Sequence, residues 1–175
     1  MRIIITGTPG TGKSVIATAL ARELGLEFIS IKKIVLEKKL RERGGAVDLK
    51  KLARALAFLR RKKNYVAEGH LACEIRLPAD AVVVLRTKPE ILRARLQKRG
   101  YGKRKMNENL VAEILDYFSQ RVEKVYGCTP LELDTSSRSV AESVGLLARA
   151  IRLKKKKLDR VEYPLVEYLV TGDLR

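Results

Sequence analysis

The sequence predicts an α/β protein with helices on both faces of a mostly parallel five-stranded sheet. Three observations carry that expectation. Short apolar runs suited to buried strands alternate with longer stretches of helical periodicity. One run, "DAVVVLRT", is nearly continuous in Val and Leu, as a strand covered on both faces requires. A glycine-rich turn, "ITGTPGTGKS" (5–14), joins the first apolar run to the first helical one.

In chain order, "RIIIT" (2–6) predicts the first buried strand. A helix follows with Val15, Ile16, Ala19 and Leu20 at helical spacing, stopping at Gly25. "LEFISI" (26–31) is the second strand. Residues 32–63 are helical and basic, interrupted at "GGAVD", with Asp48 as the N-cap of the second part. "NYVAEGH" (64–70) and "DAVVVLRT" (80–87) are strands three and four, and Pro89 opens the helix over 89–99. "GYGKRKMNEN" reads as a polar, basic loop before one helix from about Asn107 to Tyr126. "LELDT" (131–135) is the fifth strand. Ser139 with Glu142 forms a capping-box pattern for a helix reaching Ile151, and a basic tail, 152–175, closes the chain.

The 175 residues suit a single domain with a sizeable core. Lys and Arg number 37 against 20 Asp and Glu, a net charge of +17, which favours polyanionic partners such as nucleic acid. Few thermolabile side chains beside abundant Lys, Arg and Glu give a hyperthermophile-like bias. Cys73 and Cys128 lie far apart without a C-x-x-C or histidine cluster, so both are expected as small buried hydrophobes rather than a disulfide or zinc site. No secretory core and no long apolar span is visible, which predicts a cytoplasmic protein without membrane partners.

The turn itself carries the chemistry. Gly7-x-x-x-x-Gly12-Lys13-Ser14 satisfies every fixed position of a phosphate-binding loop, between a buried strand and a helix N-terminus. Its glycines, Gly7, Gly10 and Gly12, permit torsions that turn successive N–H groups inward, with Thr11 among them. The helix start, at Lys13, Ser14 and Val15, adds free N–H groups and a positive dipole end. Lys13 supplies a point charge for the β- and γ-phosphates of ATP, and Ser14 a hydroxyl ligand for Mg²⁺.

Phosphoryl transfer also needs a carboxylate near the metal and cations for developing charge. Glu68 ends a buried strand, where crevices in parallel sheets lie, and is the candidate metal carboxylate. His70, the only histidine, is two residues further on; it either orients the attacking water or acceptor, or positions the carboxylate. Arg99, Lys103, Arg104 and Lys105 stand among glycines, as a closing lid requires. Arg99 is the candidate ATP contact, and Arg121 a candidate for the transferring phosphoryl group. Lys32, Lys33 and Arg41 are available to an acceptor phosphate, and "DTSS" (134–137) to adenine.

Three segments, "ITGTPGTGKS", "EGHLACEIRLPADAVVVLRT" and "RGYGKRKMNENLVAEI", resemble the adenylate kinase isoenzyme 6 family in order and spacing over most of residues 1–125. The resemblance implies a P-loop NMP-kinase-like, three-layer α/β/α core, with an NMP-binding helical region near 33–56 and a short lid near 98–108. It implies ATP contacts at Gly10, Gly12, Lys13, Ser14, Val15 and Arg99. It further implies kinase activity on AMP or another NMP, ATPase activity, and a role in late maturation of the small ribosomal subunit, with a platform ribosomal protein and rRNA as partners. The chain departs from the family's Asp-x-His metal motif, having Glu68-Gly69-His70 instead. Two other readings stay open: a nucleotide-switched assembly factor, and a kinase with a different small-molecule or polynucleotide acceptor.

Overall fold

A computed structural model describes residues 1–159, 161 and 163. Leu165, Val166, Leu169 and Val170, apolar residues of the tail that could pack on the core or a partner, lie outside the described residues.

Five parallel strands form one sheet in the order β2-β3-β1-β4-β5: β1 (Arg2–Gly7), β2 (Glu27–Ser30), β3 (Tyr65–Glu68), β4 (Ala81–Arg86) and β5 (Leu131–Asp134). All five expected strands are present, each within a few residues of its expected bounds. Side chains alternate across β1, so Ile3 and Ile5 enter one apolar cluster while Ile4 enters the other. Helices α1 (Lys13–Glu23) and α7 (Val140–Arg152) cover the first face through Ile16, Leu20 and Leu147. Helices α2 (Ile31–Glu37), α3 (Leu49–Ala55) and α6 (Tyr117–Tyr126) cover the other through Val35, Leu52, Phe118 and Val122. Each fully buried Ile or Leu contributes about 1.5–3 kcal/mol to holding these layers together.

Helices α4 (Pro89–Lys98) and α5 (Lys103–Ile114) pack on each other through a smaller cluster, Leu92, Leu96, Met106 and Leu110. Three expectations are corrected here. The basic segment expected as a loop is already helical from Lys103, because Met106 and Leu110, four residues apart, need one face to reach Leu92 and Leu96. The single helix expected to Tyr126 is two, separated at Asp116, whose φ is 52° and whose carboxylate turns inward to pair with Arg86. The left-handed conformation is one that Asp tolerates. Cys73 is buried as expected, but Cys128 is exposed, because it follows the α6 terminus at Gly127.

Asp48 caps α3 by accepting from the N–H groups of Lys50 and Lys51, at 2.9 and 3.0 Å. The break before it is a tight turn closed by an antiparallel bridge between Arg41 and Val47. At α7, the Ser139 hydroxyl accepts from the Glu142 N–H at 3.2 Å while the Glu142 carboxylate accepts from the Ser139 N–H at 2.8 Å. Ser139→Ala should cost about 1 kcal/mol and lower the melting temperature by about 2–4 °C, read by thermal unfolding followed by circular dichroism.

Candidate active site

The strand order places β1 between β3 and β4: the chain crosses from β1 past β3 to the edge strand β2, and every later crossover runs in the opposite direction. In such sheets ligands sit beyond the carboxyl ends of the strands at this point. The loop Gly7–Ser14 leaves β1 there. Gly7, Gly10 and Gly12 all have positive φ, at 135°, 103° and 89°. A Cβ on Gly7 would overlap the Leu85 carbonyl oxygen of β4. Only glycine lets the loop pass that close to the neighbouring strand.

Lys13 is buried, and its ammonium donates to the Thr8 carbonyl at 2.8 Å. The Thr11 hydroxyl donates to the same carbonyl at 2.9 Å. Burial pulls the Lys13 pKa down to about 8, against the opposing pull of the Glu68 and Glu113 carboxylates. At the other corner of the loop, the Ser14 hydroxyl donates to Glu68 Oε1 at 3.2 Å, and the Ser30 hydroxyl to the same oxygen at 3.0 Å. The sequence candidates for metal ligation are therefore in direct contact, and Ser30 is a neighbour that sequence spacing did not reveal.

These hard oxygen donors fit Mg²⁺, which takes few protein ligands and keeps much of its water. Among the described residues there is no cluster of three or more His, Cys, Asp or Glu that would form a closed cage. Ser14 and Glu68 would hold the ion, with phosphate oxygens supplying further positions.

His70 opens a 3₁₀ turn, His70–Glu74, directly after β3. Its ring is accessible from the crevice, yet its pKa is pushed down to about 4. Partial removal from water is the main cause, and the nearby charges of Lys13, Arg41, Lys105 and Lys32 add to it. The imidazole is neutral at physiological pH. The charges that bear on it belong to the loop, to the segment around α2 and to the start of α5.

On the other side of the loop lies a cavity of about 520 Å³ lined by Gly12, Val15, Arg99, Thr135 and Arg138, among others. Arg99, the candidate ATP contact, is exposed at the C-terminus of α4 and lines this cavity. Thr135, from the "DTSS" segment, donates its hydroxyl to the Thr11 carbonyl at 3.0 Å, which joins that segment to the phosphate loop. Arg121 is placed differently. Its guanidinium donates to Glu74 at 2.7 Å, and Tyr117 donates to the same carboxylate at 2.6 Å. That pairing commits Arg121 to the 3₁₀ turn rather than to the loop.

A family model described as an AAA domain matches residues 3–116, and so spans the loop, β3, β4 and all of α5. A protein of Thermococcus onnurineus named "Putative adenylate kinase" is 33% identical over 99% of both chains. A Methanocaldococcus jannaschii protein of the same name is 37% identical over 93% of both chains. The chain belongs to this family of archaeal adenylate-kinase-like proteins. Shikimate kinase from Acinetobacter baumannii shares the fold with a TM-score of 0.68 at 20% identity, covering 88% of this chain and 94% of its own. Deoxyadenosine kinase from M. mycoides shares it with a TM-score of 0.57 at 16% identity, covering 87% and 100%.

In this adenylate-kinase-like chain, sequence reasoning missed one buried charge network. Arg86, at the end of β4, is 1% exposed and donates to Glu113 at 2.8 Å, to Glu132 at 3.0 Å and to Asp116. The Glu113 carboxylate also accepts from the Thr87 N–H at 3.0 Å and from the Thr8 hydroxyl. An arginine ending an otherwise apolar buried strand was the available signal, since such a charge needs carboxylate partners.

The packing of Gly7 gives a direct test. Gly7→Ala should destabilise the protein by about 3 kcal/mol or more, since it adds backbone overlap to a disfavoured torsion. Thermal unfolding without nucleotide checks this, and an unchanged midpoint would refute the close approach to Leu85.

Proposed function

We propose that this chain is a Mg²⁺-dependent nucleoside monophosphate kinase that transfers the γ-phosphoryl group of ATP to AMP, with slower hydrolysis of ATP as a side reaction. The observation that carries the reading is the contact of Ser14 with Glu68 beside the buried Lys13 ammonium at the carboxyl end of β1, with Lys32, Arg41 and Lys105 near enough to His70 to bear on its charge. Two anionic substrates must meet end to end in such a reaction, and only a crevice lined by cations from both sides tolerates that.

The loop N–H groups and Lys13 would hold the donor phosphates, with Arg99 and Val15 alongside the nucleoside in the 520 Å³ cavity. Lys32 and Arg41 would hold the acceptor phosphate. An acceptor oxygen attacks the γ-phosphorus, the bond from that phosphorus to the β–γ bridging oxygen breaks, and ADP leaves with the bridging oxygen and its charge. Mg²⁺ held by Ser14 and Glu68 would neutralise charge on the β- and γ-oxygens. Neutral His70 is suited to orient the acceptor, or a water in the hydrolytic side reaction, through a hydrogen bond. Arg121 stays in the proposal only as a group that would have to leave Glu74 to reach the transferring phosphoryl.

A second reading, a nucleotide-switched factor in late maturation of the small ribosomal subunit, is favoured by the charge. The net charge is +17, and Lys154, Lys155, Lys156 and Lys157 are all exposed. A platform ribosomal protein and its rRNA neighbourhood would be the partners. Capture of that protein with and without ATP tests it, and equal capture counts against a switch.

For the kinase reading, purified protein with Mg²⁺ should convert ATP and AMP to ADP. Lys13→Ala should lower kcat/KM by about 10³-fold. Because Arg99 is exposed, Arg99→Ala should raise the KM for ATP by roughly tenfold with little change in melting temperature. Wild-type protein that turns over neither ATP nor any monophosphate would overturn the proposal.

A further inference from the structure

The carboxylate of Glu113 has no place in the chemistry just described, yet it is 1% exposed and fully engaged. Its Oε1 accepts from Arg86 Nε at 2.8 Å and from the Thr87 N–H at 3.0 Å. Its Oε2 accepts from the Thr8 hydroxyl, the only polar side chain between Gly7 and Gly10. Thr8 is thereby held at both ends. The hydroxyl is fixed outward to α5, and the carbonyl is turned inward to receive the Lys13 ammonium at 2.8 Å together with the Thr11 hydroxyl and N–H at 2.9 and 3.2 Å.

We propose that Glu113 is a positioning residue that acts through Thr8: it fixes the first turn of the phosphate loop so that Lys13 is stationed for the donor phosphates, and it locks that loop to the helix carrying the lid cations. The inference rests on the reading of Gly7–Ser14 as an ATP site. Its reasoning is geometric. Helix α5 runs from Lys103–Arg104–Lys105 at its start to Glu113 near its end, one rigid rod of 12 residues. Lys105 stands in the first turn of that rod, while Glu113 grips the loop at the other end. Where α5 sits relative to the loop therefore decides how lid cations and loop cations register against one phosphate chain, and the Thr8–Glu113 hydrogen bond sets that relation.

A buried carboxylate in this place also has a purely structural explanation, as the partner of Arg86. Glu113 Oε1, Glu132 and Asp116 together satisfy the guanidinium, however, and none of those bonds needs a hydroxyl from the loop. The Thr8 contact is the extra element, and it can be removed while the ion pair stays.

The test therefore compares Thr8→Val, which keeps the shape and deletes the hydroxyl, with Thr8→Ser, which keeps the hydroxyl. ATP–AMP phosphotransfer, MgATP binding by calorimetry and melting temperature are read on each. Thr8→Val should lower kcat by about 10–100-fold, the range that misplacement of a positioned group produces, while the KM for ATP changes less than about threefold. Thr8→Ser should recover most of that loss. Glu113→Gln should show the same split between kcat and KM. The double variant Thr8→Val/Glu113→Gln should be no slower than the slower single one, because both remove the same coupling. Should Thr8→Val fail to fold, Glu113→Gln against Thr8→Ser carries the same expectation. A kcat for Thr8→Val equal to wild type, or additive losses in the double variant, would overturn the inference and leave the ATP site standing. Absence of MgATP binding by wild type would overturn the site itself.

Discussion

The close approach of the chain to β4 directly after β1 is the constraint on which the rest depends. Strand β1 is central in the sheet, so its exit is walled by a neighbour on each side. The chain clears β4 only because Gly7 has no Cβ to meet the Leu85 carbonyl. From that one passage the loop curls back, Gly10 and Gly12 take torsions closed to most residues, and α1 begins with its free N–H groups aimed into the crevice. A loop displaced outward by one side chain would still be glycine-rich, but it would no longer bring Ser14 against Glu68 or Lys13 against Thr8.

Electrostatics then fills in what the backbone has shaped. Lys13 is buried among Glu68 and Glu113, one carboxylate on each side, and those two groups hold opposite ends of the loop: Glu68 receives Ser14, Glu113 receives Thr8. Arg86 is what makes Glu113 tolerable inside the protein. A carboxylate that deep is costly without a cation beside it, and removing the arginine would leave an uncompensated buried charge. The strand that walls the loop with Leu85 thus also supplies, one residue later, the charge that anchors it.

How much of this was legible in the sequence follows from what each residue depends on. The five strands and the loop were readable because they rest on local pattern: alternation in "RIII", unbroken apolarity in "AVVVL", fixed glycine spacing in 7–14. Asp48 and Ser139 were readable for the same reason, since a cap acts on N–H groups only two or three residues away. The first turn of helix α5 was read as a loop because it is polar and glycine-flanked. What makes it helical is Met106 and Leu110 reaching Leu92 and Leu96, and that contact is tertiary. The break at Asp116 was invisible for a related reason: a left-handed residue inside an otherwise helical pattern is stabilised by a guanidinium thirty positions away in sequence. Arg121 was assigned by analogy of charge, and its actual partner, Glu74, lies in a turn that no periodicity marks.

The positive charge of the chain finally bears on the two readings of its role. A large cationic excess by itself says only that anions are attracted, and exposed lysines such as those at 154–157 contribute to that with long-range, salt-screened forces. The cations around His70 differ in kind. They come from three separate parts of the chain, and they add to the partial burial that is the main reason the imidazole stays neutral. A surface meant only to hold polyanions gains nothing from a neutral hydrogen-bonding ring at its focus, whereas a site that must orient an acceptor oxygen between two phosphate groups does. The arrangement around His70 therefore weighs towards chemistry in the crevice, and the exposed lysines are free to serve whatever larger anion that chemistry accompanies.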